Sequence, residues 1–148
     1  MLERETIQAR GFHNMIRDGR TVGFQFCVRL DYYRGIFLSQ LRPQSVVVDG
    51  ISYPKESVVW ELKGQEYSFE EMKSLGNVHW SPTETATLKI YREGGLTPGY
   101  HEITAGYRYS SSYIPPKLQE GIDSEEGSPL LNALFGVGRS TRKLLLVW

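Results

Sequence analysis

The stretch Thr21-Val22-Gly23-Phe24-Gln25-Phe26-Cys27-Val28-Arg29-Leu30 alternates large apolar residues with small or polar ones. Successive side chains of a β-strand leave opposite faces, so Val22, Phe24, Phe26, Val28 and Leu30 share one side and Gly23, Gln25, Cys27 and Arg29 the other. One wall of this strand therefore belongs in a core. Asp18-Gly19 stands just before it, a pair suited to the positive φ angles of a tight hairpin turn. The reading predicts a hairpin with an incoming strand around Phe12 to Ile16.

Outward from that hairpin the same grammar recurs. Short apolar or alternating runs cover Gly35 to Leu41, Ser45 to Val48, Ile51 to Tyr53 and Ser57 to Leu62, with Asp49-Gly50 and Lys63-Gly64 as turns between them. Val58, Trp60 and Leu62 are expected to face inward. Thr85 to Arg92 places Ala86, Leu88 and Ile90 together, and Tyr100 to Tyr109 groups His101, Ile103, Ala105, Tyr107 and Tyr109 against Glu102, Thr104 and Arg108. Runs of this kind between Gly, Pro and Asp-Gly breaks predict an all-β fold, an antiparallel two-sheet sandwich. Glu70 to Leu75 is the one helical segment predicted, opened by acids that suit the positive end of a helix dipole and stopped by Gly76. Lys117 to Ser140 has no sustained period and reads as a long loop, a length uncommon in compact domains without a functional reason. Lys143 to Trp148, KLLLVW, is expected to close the chain as a strand buried on both faces, within the domain or against another subunit.

The 148 residues suit one domain spanning 1–148. Seventeen Lys and Arg balance seventeen Asp and Glu, so the positive field that holds nucleic acid is missing and nucleic acid is not an expected partner. No apolar run approaches the roughly 18–20 residues of a membrane span. The start MLERETIQAR is charged from its third residue and does not read as a secretory signal. Cys27 is the one cysteine; no internal disulfide is available, and a soluble, cytoplasmic protein is the expectation.

Catalytic patterns are lacking. His13, His79 and His101 show no metal-ligand spacing; His101, on the parity of Ile103, reads as a hydrogen-bonded, half-buried histidine. Cys27 lies mid-strand with no neighbour to activate it, and Gly136-Val137-Gly138-Arg139-Ser140 lacks the strand-turn-helix setting of a phosphate cradle. The acidic run Asp123 to Glu126 lacks calcium-loop spacing. More informative is Asp31-Tyr32-Tyr33-Arg34-Gly35, which interrupts the alternation after the best strand. Tyr32, Tyr33 and Arg34 are residue types enriched at binding hot spots, and they are equally compatible with a plain solvent turn. His79 and Trp80, before Pro82, suit a pocket rim in the loop after the helix or a structural role. Tyr107, Tyr109 and Tyr113 either face a ring-bearing ligand or partner, or form core.

Taken in order, LERETIQARGFHNMIRDGRTVGFQFCVRLDYYRG, VVVDG, GGLTPGYHEI and YRYSSSYIPP resemble the small β subunit of bacterial C-glycoside deglycosidases. The resemblance implies a β-rich domain bound to a larger α subunit, a TIM barrel of the sugar isomerase and epimerase type that holds a divalent metal, often Mn2+, and the acid-base residues, in a higher hetero-oligomer. It implies cleavage of the carbon-carbon glycosidic bond of 3-oxo-C-glucosides of aromatic aglycones such as flavonoids, by proton abstraction beside the ketone, an enolate and β-elimination. No metal, cofactor or catalytic residue is expected in this chain: it would be a non-catalytic subunit of a lyase complex, with substrate bound mainly by the partner. Tyr32, Tyr33, Arg34, His79, Trp80 and Tyr113 are the candidates for the subunit interface or pocket rim. The alternative is a stand-alone carbohydrate-binding or structural β-sandwich module, in which exposed Trp80, Tyr113 or Trp148 would stack on sugars.

Overall fold

A computed structural model of the protein describes residues 2–110 and 136–148. Its strands are, in chain order, β1 (His13–Arg17), β2 (Arg20–Arg29), β3 (Ile36–Phe37), β4 (Leu41–Pro43), β5 (Val46–Val48), β6 (Ile51–Tyr53), β7 (Val58–Leu62) and β8 (Gln65–Tyr67). The helix α1 (Phe69–Met72) follows, then β9 (His79–Trp80), β10 (Thr85–Tyr91), β11 (Gly99–Tyr109) and β12 (Gly136–Leu146).

The hairpin around Asp18-Gly19 forms as its residues dictate: both take positive φ, 52° and 76°, and β1 runs antiparallel to β2 with a register shift between Met15 and Ile16. One sheet is ordered β1-β2-β10-β7-β8. The second is ordered β12-β11-β5-β6, with β4 lying along β11 beside β5. The pair β3-β9 stands apart from both. All of these pairings are antiparallel.

Parity predicts the core well. Phe24, Phe26, Val28 and Leu30 of the first hairpin, Val58, Trp60 and Leu62 of β7, and Ala86, Leu88 and Ile90 of β10 are buried in one cluster with Ile103, Ala105, Tyr107 and Tyr109 of β11. Val22 is only half-buried. Full burial of each large apolar side chain contributes roughly 1.5–3 kcal/mol, so the two facing walls are the main source of stability.

Several expectations are corrected. The strand predicted over Gly35 to Leu41 is broken by a 3-10 turn at Leu38–Gln40, because Ile36 and Phe37 pair with β9 while Leu41 to Pro43 pair with β11. Strand β8 follows the Lys63-Gly64 turn unforeseen. The helix starts one residue earlier and is shorter than Glu70 to Leu75, because Ser68 caps it: the Glu71 N–H donates to Ser68 Oγ at 3.2 Å and the Ser68 N–H to Glu71 Oε1 at 3.0 Å. His79 and Trp80, predicted in a loop, form β9. Residues 136–140 of the predicted loop belong to β12, and 117–135 lie outside the described residues. The last strand ends at Leu146, and beyond Lys143 it buries only Leu144 and Leu146. Leu145, Val147 and Trp148 are exposed, so both-face burial is not met within this chain. No helix among the described residues is long and apolar enough to cross a membrane.

Candidate functional site

The end of β2 sets the site. After buried Leu30, the Asp31 N–H donates to the hydroxyl of Tyr107 at 2.9 Å, and that hydroxyl donates to the Arg29 carbonyl at 2.9 Å. Burial pushes the Tyr107 hydroxyl far above the ordinary tyrosine range. It therefore stays protonated and keeps donating at neutral pH. The Asp31 carboxylate accepts from Thr6 Oγ1 at 3.0 Å and pairs with Arg29 at 2.9 Å. The next residues thus leave the sheet from a fixed point.

The chain then turns over Tyr32 to Gly35, with the Gly35 N–H donating to the Tyr32 carbonyl at 3.1 Å. Gly35 has φ 76°, and a Cβ there would come within 2.5 Å of His79 Cε1 and 2.7 Å of the Trp80 carbonyl oxygen. Only glycine lets the turn press this closely on β9. Ile36 pairs with Trp80 and Phe37 with His79, and the Leu38 N–H donates to Val78 O at 2.9 Å. Two candidate segments that are far apart in sequence are joined here.

Strand parity sorts the residues of that joint. Ile36 and Trp80 point inward; Phe37 and His79 point outward with ring centroids 5.2 Å apart and nearly perpendicular. Tyr33 is 74% exposed and Phe37 41%, and the Arg34 guanidinium sits 5.3 Å from the Tyr33 ring centre. Half-buried Tyr32 links this surface to the core, 5.2 Å from the Tyr33 ring and 5.4 Å from that of Tyr109. Of the six predicted residues, Tyr32, Tyr33 and Arg34 share one turn, and that turn meets His79 through Gly35. Trp80 is not on the surface. It is fully buried, 5.7 Å from the Trp60 ring and 5.4 Å from Tyr107, with its Nε1–H donating to Glu84 O at 3.0 Å. Its aromatic face cannot stack on a sugar in solvent. Tyr113 lies outside the described residues. Phe37 was missed, because a two-residue strand shows no alternation that would mark it.

The exposed Arg34 guanidinium over the exposed Tyr33 ring combines residue types enriched at binding surfaces. The donor set does not fit a metal: among the described residues no three His, Cys, Asp or Glu side chains gather to hold one. His101 is tied on both ring nitrogens, Nδ1 at 2.5 Å from Asp49 Oδ2 and Nε2 at 2.6 Å from Thr97 O. The histidine hydrogen bond, and next the Glu102 N–H, hold the Asp49 carboxyl below its usual range. This is a clasp between the Asp49-Gly50 turn and β11, the hydrogen-bonded histidine expected, though buried rather than half-buried. Cys27 is half-buried with Sγ 3.5 Å from Thr87 Oγ1. Trp148 remains solvent-exposed and stacks on His13 with centroids 4.4 Å apart.

Comparison with known proteins now adds identity to geometry. The sequence model of a family described as "C-glycoside deglycosidase beta subunit" matches residues 2–113. A C-glycoside deglycosidase beta subunit of Eubacterium cellulosolvens is 42% identical over 147 residues, covering 99% of this chain and all of that protein. Another, of Microbacterium trichothecenolyticum, is 33% identical over 59% of this chain and 66% of its own length. A third, of Arthrobacter globiformis, is 31% identical over 66% of this chain and 72% of its own.

Proposed function

The chain belongs to the C-glycoside deglycosidase beta subunit family, and from that premise we propose that it is the non-catalytic subunit of a heteromeric C-glycoside deglycosidase. It binds and shapes a larger TIM-barrel α subunit, which carries a divalent metal, Mn2+ in this reading, and the acid-base residues. That complex cleaves the carbon-carbon glycosidic bond of 3-oxo-C-glucosides of aromatic aglycones such as flavonoids, as a cytoplasmic lyase. The observation that carries the reading is the exposed Tyr33 and Arg34 pair on a turn whose Gly35 presses on His79, itself paired with exposed Phe37. It offers rigid rings and a guanidinium for docking, on a turn anchored to the core by Tyr107.

The test is reconstitution. Purified alone, the chain is expected to be inactive; co-expressed with a barrel subunit, it should co-purify and release the aglycone in a chelator-sensitive reaction. Turnover of a 3-oxo-C-glucoside by the single chain would overturn the assignment. A second reading, a free-standing carbohydrate-binding module, draws support from exposed Trp148 stacked on His13. Isothermal calorimetry with glycosides separates the two, since heat from the isolated chain favours the module.

A further inference from the structure

The Asp49-Gly50 turn and the loop that enters β11 are tied together by one side chain. His101 is 8% exposed, and its ring stands edge-on to Phe12 with centroids 6.2 Å apart. Its Nδ1 lies 2.5 Å from Asp49 Oδ2 and its Nε2 2.6 Å from the Thr97 carbonyl oxygen. A carboxylate and a carbonyl only accept hydrogen bonds, whereas a neutral imidazole has one N–H and one bare nitrogen. A bare nitrogen this close to either oxygen would set lone pair against lone pair. Both contacts are hydrogen bonds only when the ring carries both protons, so the clasp as it stands belongs to the imidazolium. Asp49 is its counter-charge: the histidine hydrogen bond, and next the Glu102 N–H, hold that carboxyl below its usual range, which keeps it an acceptor.

The clasp reaches beyond its own three residues. Thr97 follows Leu96, a core residue whose N–H donates to Asn14 Oδ1 and whose carbonyl accepts from Asn14 Nδ2, both at 2.9 Å. The Asn14 N–H donates in turn to the Trp148 carbonyl at 2.9 Å. Three other charged residues surround the pair. Arg92 lines the small cavity shared by Asp49, Thr97 and His101; Lys143 of β12 attracts the Asp49 carboxylate; Glu102, opposite Lys143 in the ladder, leaves the other face of β11. When the ring gives up a proton, the one it keeps stays on Nδ1, because the bond to an ionised acceptor is the stronger. Nε2 then turns a lone pair on Thr97 O, and the loop loses its tie.

We propose that His101 is a proton-operated latch: as an imidazolium it pins the Leu96-Thr97 loop to the Asp49 turn, and on losing one proton it lets the loop go. The two partners limit the closed state from opposite sides. The contribution of Asp49 is present above the ordinary carboxylate range and is lost as pH falls through its depressed value. That of the doubly protonated ring is lost as pH rises and a proton leaves. The test is hydrogen exchange at the Leu96 amide of the full chain, corrected for the intrinsic effect of pH, alongside nitrogen NMR of the His101 ring. Protection should fall about tenfold in step with the loss of one ring proton. A bare Nε2 while Leu96 is still protected, or protection that stays constant as His101 titrates, would overturn the latch. Asp49→Asn should reverse the direction. Asparagine suits the positive φ of 50° at this position; its Oδ1 keeps the Glu102 N–H, and its Nδ2 donates to Nδ1 of a neutral ring whose Nε2–H still reaches Thr97 O. This variant is expected to be closed at high pH and to open as pH falls, and the wild-type direction in it would refute the proposal. His13, whose ring Nδ1 is 2.8 Å from Asn14 O, is the competing titrating group. His13→Gln should leave the response of Leu96 unchanged; its disappearance would move the switch to His13 and sink the assignment.

Discussion

Two aromatic groups lie back to back in this protein. Trp60, Trp80 and Tyr107 form a buried edge-to-face trio with ring centroids 5.4 to 6.4 Å apart; Tyr33, Phe37 and His79 lie outside, with Arg34 over Tyr33. Strand β9 supplies one residue to each, as His79 and Trp80 are sequence neighbours on opposite faces. Strand β3 divides likewise, with Ile36 in the core and Phe37 outside. Residue type therefore says little about role here. Parity decides which ring holds the fold together and which is free to bind.

The comparison breaks most visibly at Trp80. Trp80→Ala should destabilise by about 3–5 kcal/mol through the cavity left behind, measured by urea unfolding; a loss below about 1 kcal/mol would mean the ring is dispensable to the core. Gly35→Ala comes next, at roughly 1–3 kcal/mol for a positive-φ residue forced against the Trp80 carbonyl. Tyr107→Phe keeps the ring but deletes the hydroxyl between Asp31 and Arg29, at about 1–3 kcal/mol for the groups left unpaired. Hydrogen exchange at Asp31 should quicken with it.

On the outer group the sign of the comparison reverses. Tyr33→Ala and Arg34→Ala should alter stability by no more than about 0.5 kcal/mol, the smallest folding effect of the set. Each should nevertheless weaken assembly by about 2 kcal/mol or more, roughly thirtyfold in Kd, measured by titration against the larger subunit. Loss of folding with assembly intact would move these residues to the inner group.

How much of this was legible depended on the length of the element. β2, β10 and β11 were readable because 10, 7 and 11 residues display a period-two pattern several times over. Asp18-Gly19, Asp49-Gly50 and Lys63-Gly64 were readable because each places a positive-φ pair at a turn. β3 and β9 have two residues each, too few to show any period, and their partner choice is a long-range event that no local pattern encodes. Hence the meeting of Gly35 with His79 was invisible, Trp80 was read as rim, and Phe37 was passed over. Tyr32, Tyr33 and Arg34 stood out because they interrupt a strong alternation, and the structure keeps Tyr33 and Arg34 at the surface. The capping box at Ser68 and Glu71 was present in the sequence, but so short a helix offers little periodicity to draw the eye to its start.

The three tryptophans are unequal as chromophores. Trp60 and Trp80 are buried with ring centroids 5.7 Å apart and planes inclined by 77°, so their apolar surroundings should give blue emission that is lost on unfolding. Trp148 emits to the red and is open to iodide quenching. One cuvette therefore holds two separate reporters, one for the integrity of the interior and one for whatever covers the end of the chain.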